Sequence, residues 1–411
     1  MKLPLEGVRV IDLSMWWAGP FAAMELGALG AEIIKVESIQ HLDGYRGGYG
    51  AAGQRVWEQA PVFNAFNLNK LGVTLDLARP EGTALLKRLV GIADVVMDNY
   101  SARVMENFGL TPQVLREQNP NVVTISMPGF GDSGPWKNYT GFAFNMEQLS
   151  GIAHHTGFAG GPPSNIGAAA DPIMGMFGAF AVMAALEYRR RTGKGQHVDL
   201  AHLEALTAFS AEPVMDLQLN GRVMDRTGNR HPSAAPHNFY PCSGDDQWVA
   251  IAAYGDDEWQ RLVRAMGDPE WARDRRFDDE LGRWRHQDEL DALIGWWTKD
   301  RDKLDVMRQL QEAGVTAGAA LNAPGLLGDP HLKERRFQQR LRREEVGVQP
   351  YARTPFLVDG KPLRWSRPAP TVGQDNRRVL EGLLGLSGAE LAELEQRQVI
   401  GTTPVGVEPA S

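Results

Sequence analysis

In the first half of the chain, short apolar runs alternate with longer amphipathic stretches, and the glycines and prolines fall between them. Val8-Arg9-Val10-Ile11-Asp12-Leu13 is one such run, followed by Ala18-Gly19-Pro20 and a helical stretch from Phe21 to Leu29. Pro20 suits a first helical turn, where a missing N–H costs nothing. Gly30 ends the helix and Ala31 to Glu37 resumes as a strand, completing a βαβ unit of the kind that builds parallel sheets. The pattern recurs, with a helix from about Pro80 to Ile92, a strand from Asp94 to Met97, a helix ending near Asn119-Pro120 and a strand from Val122 to Ile125. The N-terminal half is therefore predicted to be α/β.

A long helix is expected over Asp171 to Arg191, closed by Thr192-Gly193-Lys194-Gly195, and then a strand over Gln196 to Leu200. From about Asn220 to Pro241 the residues lose periodicity and read as a linker. A strand at Trp248 to Ala252 and helices rich in Trp, Arg and Asp, through about Gly314, form a smaller α+β unit. Beyond Gly325 the chain reads as irregular, with a strand-like Thr354 to Val358, and it ends in an amphipathic helix over Ser387 to Arg397 with Ser387 as N-cap.

Composition limits the functional classes. A chain of 411 residues favours two domains over one, and 43% hydrophobic with 23% charged residues excludes a disordered or fibrous protein. The formal charge of −8 argues against nucleic acid as a partner. One cysteine, Cys242, closes no intrachain disulfide and builds no thiolate metal cage, so a reduced, cytoplasmic setting is expected. The N-terminus shows no signal-peptide pattern. The apolar run Ile173 to Leu186 falls short of the ~20 residues a bilayer crossing needs and reads as a buried core helix, so no membrane span is expected.

Few motifs announce chemistry. No G-x-G-x-x-G or P-loop follows the first strand, which disfavours a dinucleotide site. Gly129-Phe130-Gly131-Asp132-Ser133-Gly134-Pro135 approaches a nucleophile elbow but puts Pro135 where the closing glycine belongs, and it reads as a loop. Arg189-Arg190-Arg191 suits the last turn of a helix as well as it suits a phosphate. His154-His155 has no nearby partner at metal-ligand spacing, so no metal site is expected. Asp171, in Ala168-Ala169-Ala170-Asp171-Pro172, stands where a helix N-cap should stand. The same placement, flanked by small residues, would let a substrate approach its carboxylate as a nucleophile.

Taken together, several segments resemble the family III CoA-transferases: Pro4 to Leu13, Ala18-Gly19-Pro20, Leu29 to Glu37, Asn69-Lys70, Ala93-Asp94 to Asn99-Tyr100, Gly167 to Asp171, and Arg191 to Gln196. The resemblance implies a Rossmann-like large domain made from both chain ends, residues 1–220 and 326–411. It also implies a small domain over 221–325, and two subunits interlocked like links of a chain. Asp171 falls on the family's catalytic aspartate. Trp17, Ala18, Leu75, Asn99, Tyr100 and Tyr139 match positions that line the CoA site, and Arg46 and Arg103 are assigned to the CoA phosphates. Acyl-CoA and a carboxylic acid are the expected substrates, with no tightly bound cofactor.

The mechanism implied is attack of the Asp171 carboxylate on a donor thioester, giving an acyl-aspartyl anhydride and CoA thiolate. The thiolate then forms an aspartyl-CoA thioester, and the acceptor acid repeats the exchange in reverse. Trp17 replaces a CoA-contacting glutamine of formyl-CoA transferase, and no glycine-rich loop follows Ala253-Tyr254-Gly255, which argues against oxalate and formate. A 2-methylacyl-CoA racemase is the alternative enzyme, but its second base is Phe142 here, so His154 or His155 would have to serve. A non-catalytic CoA-binding subunit is the other alternative, disfavoured by Asp171. Trp16, Trp17 and Phe142 suggest an acceptor with an apolar body.

Overall fold

A computed structural model describes residues 2–47 and 55–406. The chain forms two compact units, one of Met1–Ala153, Asn165–Val223 and Lys333–Ser411, the other of His154–Ser164 and Met224–Leu332.

The first unit is built on a six-stranded parallel sheet of β1 (Arg9–Asp12), β2 (Glu32–Glu37), β3 (Lys70–Thr74), β4 (Val95–Asp98), β5 (Val123–Ser126) and β6 (His197–Asp199). The spatial order is β3-β2-β1-β4-β5-β6, so the chain reverses its direction of winding between β1 and β4. Side chains alternate between faces along each strand, and both faces are buried, which explains the near-continuous apolar runs. Val10, Ile33, Val95 and Met97 enter one core layer with helix α1 (Ala18–Ala28). Ile11, Ile34 and Val96 enter the other, with helix α2 (Pro80–Val90) and the C-terminal Val379, Leu380 and Leu391. The returning C-terminus covers the edge strand β3, where Asp375 accepts the Gly72 N–H and Asn376 the Thr74 N–H. That protects an edge whose open N–H groups would otherwise invite pairing.

Helices α3 (Ala143–Leu149), α4 (Ala170–Thr192), α5 (His202–Thr207) and α6 (Ala211–Asn220) follow β5 and surround β6. The 23 residues of α4 make it longer than the apolar run suggested, and only one of its faces is buried. Gly175 lets it rest on the Ala18 carbonyl and Phe21, and Gly178 on Met127, each approach too close for a Cβ. Met176, Phe177 and Phe180 of the opposite face are exposed, so the expectation of a wholly buried core helix is corrected. A helix of this length and hydropathy could span a bilayer, but here it is packed onto α1.

β10 (Gln338–Arg343) and β11 (Gly347–Ala352), a hairpin in the stretch expected to be irregular, also belong to this unit. The terminal helix Gly388–Gln396 has Ser387 as N-cap, paired with Glu390 in a reciprocal capping box.

The second unit holds a three-stranded antiparallel sheet of β7 (His237–Pro241), β8 (Trp248–Ala252) and β9 (Thr316–Ala319). Its core gathers Tyr240, Trp259, Phe277 and Ile294, with Cys242 buried among them. β7 lies inside the stretch that lacked periodicity, because its register with β8 is set by pairing rather than by its own pattern.

Candidate active site

A cleft of about 460 Å³ opens at the carboxyl ends of the parallel strands, over the point where the winding reverses. Open α/β sheets bind ligands at such a crevice, because the loops on either side diverge there. The turn after β1 contributes Met15 and Trp16, the loop after β2 His41, the loops after β3 and β4 Leu75, Asn99 and Tyr100, and the loop after β5 Tyr139 and Phe142.

Beneath the cleft lies a buried network of charged side chains. Lys70, fully buried, donates to Asp12, Asn67 and the Pro20 carbonyl at 2.8–2.9 Å. Burial lowers its pKa to about 8, chiefly by desolvation, with Asp12 opposing. Lys35 donates to the Ser14 carbonyl at 2.8 Å and to Asp43 at 3.0 Å. Asp43 in turn accepts the Trp16 N–H at 3.1 Å. These bonds hold the β1–α1 turn, in which Trp16 takes a left-handed φ of 64° that costs a non-glycine residue free energy.

The residues expected at the site divide into three groups. Leu75, Asn99, Tyr100 and Tyr139 line the cleft. The Asn99 amide is engaged, accepting the Met15 N–H and donating to the Met15 carbonyl, both at 2.8 Å, so it shapes the wall through the backbone. Trp17 and Ala18 stand behind that wall. Trp17 stacks on Phe66 at 4.6 Å and Ala18 is buried against α4. Arg103 is exposed at the start of the short helix Arg103–Asn107, beside the cleft-lining Val104.

Arg46 requires a correction. Its guanidinium is buried, donates to Glu37, Glu58 and the Pro370 carbonyl at 2.8–3.2 Å, and lies 3.5 Å over the Phe63 ring. A cation saturated in this way is structural, and nothing in its geometry turns it toward a phosphate.

Asp171 is not an N-cap. The cap position of α4 is Ala169, Asp171 is the second residue of the helix, and its carboxylate accepts no hydrogen bond among the described residues. The capping work falls to Glu147 on α3, a fully buried carboxylate that accepts the Ile166 N–H at 3.1 Å and the Ala170 N–H at 3.4 Å. Released from capping, the Asp171 carboxylate is 16% exposed and has its pKa raised to about 7, first by desolvation and then by the Glu147 charge. The imidazole of His202, on α5, stands 4.0 Å from it. Burial pushes that histidine down to about 4, so it stays neutral and offers Asp171 no counter-charge.

Neither Glu147 nor His202 was singled out by the sequence. They lie 24 residues before and 31 after Asp171, and only the packing of α3 and α5 around the start of α4 brings them together. His154 and His155, considered above as bases, belong to the second unit, where their rings meet edge to face.

Comparison with known proteins finds relatives across nearly the whole chain. The family described as CoA-transferase family III matches residues 5–376. The succinyl-CoA–D-citramalate CoA-transferase of Chloroflexus aurantiacus is 38% identical over 409 residues, covering 97% of this chain and 98% of its own. The succinate–glutarate CoA-transferase of Agrobacterium fabrum is 33% identical, covering 93% and 96%. A crystal structure of a CAIB/BAIF family protein from Brucella suis superposes with a TM-score of 0.84 at 32% identity, covering 93% of this chain and 100% of that one. With a family match across nearly the whole chain and full-length relatives above 30% identity, this protein belongs to CoA-transferase family III.

Proposed function

We propose that the protein moves CoA from a donor acyl-CoA to an acceptor carboxylic acid, with Asp171 as the nucleophile. CoA transfer is the activity named for its relatives. The observation that carries the residue assignment is the state of Asp171, a carboxylate at the start of α4 that accepts no hydrogen bond among the described residues and whose pKa burial raises to about 7; it is not itself among the residues lining the cleft. A carboxylate relieved of hydrogen bonds keeps its basicity and its attacking power.

In this reading Asp171 attacks the donor thioester carbonyl and expels CoA thiolate, leaving an acyl-aspartyl anhydride. The thiolate attacks the aspartyl carbonyl, forms an aspartyl-CoA thioester and releases the donor acid. The acceptor carboxylate attacks that thioester, and the thiolate it frees attacks the acceptor acyl carbon of the new anhydride, which regenerates Asp171. Each thioester broken is replaced by another, so no external energy source is needed.

The relatives named above act, by their names, on succinyl-CoA or succinate together with citramalate or glutarate, and others on malate or mesaconate. We therefore favour short dicarboxylic acids and a succinyl donor. This replaces the apolar acceptor suggested by the aromatic residues, because Trp17 is spent on packing against Phe66 and only Trp16 and Phe142 reach the cleft. Among the described residues no Lys or Arg lines the cleft, and we assign a CoA phosphate to Arg103, the neighbour of the cleft-lining Val104.

An interlocked homodimer of cytoplasmic subunits completes the proposal. The exposed apolar faces of α4 (Met176, Phe180) and α6 (Met215, Leu219) support a partner chain, since isolated soluble domains rarely leave such faces uncovered. Incubation with succinyl-CoA followed by hydroxylamine and peptide mass spectrometry tests the chemistry. Modification of Asp171 is expected, and transfer activity in a folded Asp171→Ala protein would refute it.

A further inference from the structure

We propose that Glu147 and His202 are positioning residues for the Asp171 carboxylate, Glu147 by gripping the backbone that enters α4 and His202 by bounding the carboxylate itself. The proposal rests on the reading of Asp171 as the nucleophile.

The chain enters α4 through a turn of unusual backbone. Gly167 and Ala168 are both left-handed, with φ of 76° and 61°, and Ala168 carries a Cβ that disfavours this conformation. Such a turn persists only where its surroundings determine it. Here Glu147 does so at two points, through the Ile166 and Ala170 N–H groups. His202 closes on the carboxylate from α5: its ring is buried, Nε2 has no hydrogen-bond partner, and Nδ1 is the atom that faces Asp171 at 4.0 Å. His202 is itself anchored, its backbone N–H bonded to the Pro128 carbonyl at 3.0 Å.

Ala170, fully buried, thus has its N–H held by a carboxylate from another helix, and the next residue, the nucleophile in this reading, faces a buried imidazole. A purely structural helix start needs only a cap. A buried carboxylate spent on this entry turn, and a buried imidazole set beside Asp171 with one ring nitrogen unsatisfied, indicate a demand for geometry beyond stability. The reaction supplies that demand, because the carboxylate must meet a thioester carbon, then present its own carbonyl to a thiolate, without a hydrogen-bonded network to aim it. His202 contributes position and an uncharged surface, and no proton leaves or joins it in the cycle.

The test is exchange of isotopically labelled succinate into succinyl-CoA by the full-length protein, alongside hydroxylamine trapping on the wild type. His202→Leu is expected to lower kcat by about 100-fold, the loss a misaimed nucleophile brings, while KM for succinyl-CoA changes by less than about threefold. His202→Asn, whose amide sets an N–H where Nδ1 stands, should recover to within about tenfold of wild type, and Glu147→Gln, which keeps an acceptor oxygen, should do the same. If the leucine variant does not fold, these two isosteric variants decide the matter, and a folded His202→Asn below about a hundredth of wild-type kcat overturns the proposal. A folded His202→Leu within about threefold of wild-type kcat overturns it too, as does a His202→Asn no better than the leucine variant. Where Asp171 is trapped in the wild type, those results refute the grip alone. Absence of trapping at Asp171 refutes the nucleophile and the grip together.

Discussion

Ionising Asp171 carries a cost in folding free energy, and that cost can be measured. Its pKa rises from 3.8 in an unfolded chain to about 7 in the folded protein, because the carboxylate is desolvated and faces Glu147. Well below pH 3.8 the group is protonated in both states and contributes no difference. Between pH 4 and 7 the unfolded chain releases the proton while the folded protein retains it, so stability falls as pH rises. Above pH 7 the loss is complete, on the order of 4 kcal/mol for a rise from 3.8 to about 7. Asp171→Asn removes the titration and sacrifices no hydrogen bond to the carboxylate. The variant should therefore approach the wild type toward about pH 3 and exceed it at pH 8 by several kcal/mol at most, seen as a Tm higher by roughly 5 °C.

Activity should mirror this. The ionised fraction of Asp171 is about 10% at pH 6, half at pH 7 and about 90% at pH 8, so kcat/KM should climb nearly tenfold over that range and then level. Calorimetry at pH 4, 6 and 8 and a pH–rate profile with succinyl-CoA are the measurements. An Asp171→Asn protein less stable than wild type at pH 8, or a rate independent of pH between 6 and 8, would refute the assignment of a desolvated, unbonded carboxylate.

Arg46→Met should destabilise the protein by about 3–5 kcal/mol in urea titration, by stranding Glu37 as a buried unpaired charge and leaving Glu58 to Arg343 and Arg55. Unchanged stability with weaker CoA binding would return Arg46 to the phosphates. Asn99→Ala frees the Met15 backbone and should cost about 1–3 kcal/mol, with a raised KM for acyl-CoA as the cleft wall loosens. Gly44→Ala would place a Cβ 2.2 Å from the Trp16 ring, so displacement of that ring should raise KM for acyl-CoA at a stability cost of about 1–3 kcal/mol. Full binding and activity in this variant would mean that Trp16 is no part of the working wall.

Local pattern was enough for β1, β2, β4, β5 and the long helix, because strands buried on both faces read as apolar runs and glycines mark their ends. The capping box at Ser387 and Glu390 is equally local. Asp171 was legible as the candidate nucleophile from its small neighbours and its family setting. Tertiary structure decided what local pattern could not express. β7 and the β10–β11 hairpin draw their conformation from pairing partners. Arg46 looked like a free cation until Glu37, Glu58 and Pro370 closed on it from three distant points of the chain. Asp171 looked like a cap because Asp before Pro usually is one, yet Glu147 takes the amides and leaves it unbonded. Charge state, desolvation and the aim of a side chain depend on which groups lie within a few ångströms, and that adjacency is a property of the fold as a whole.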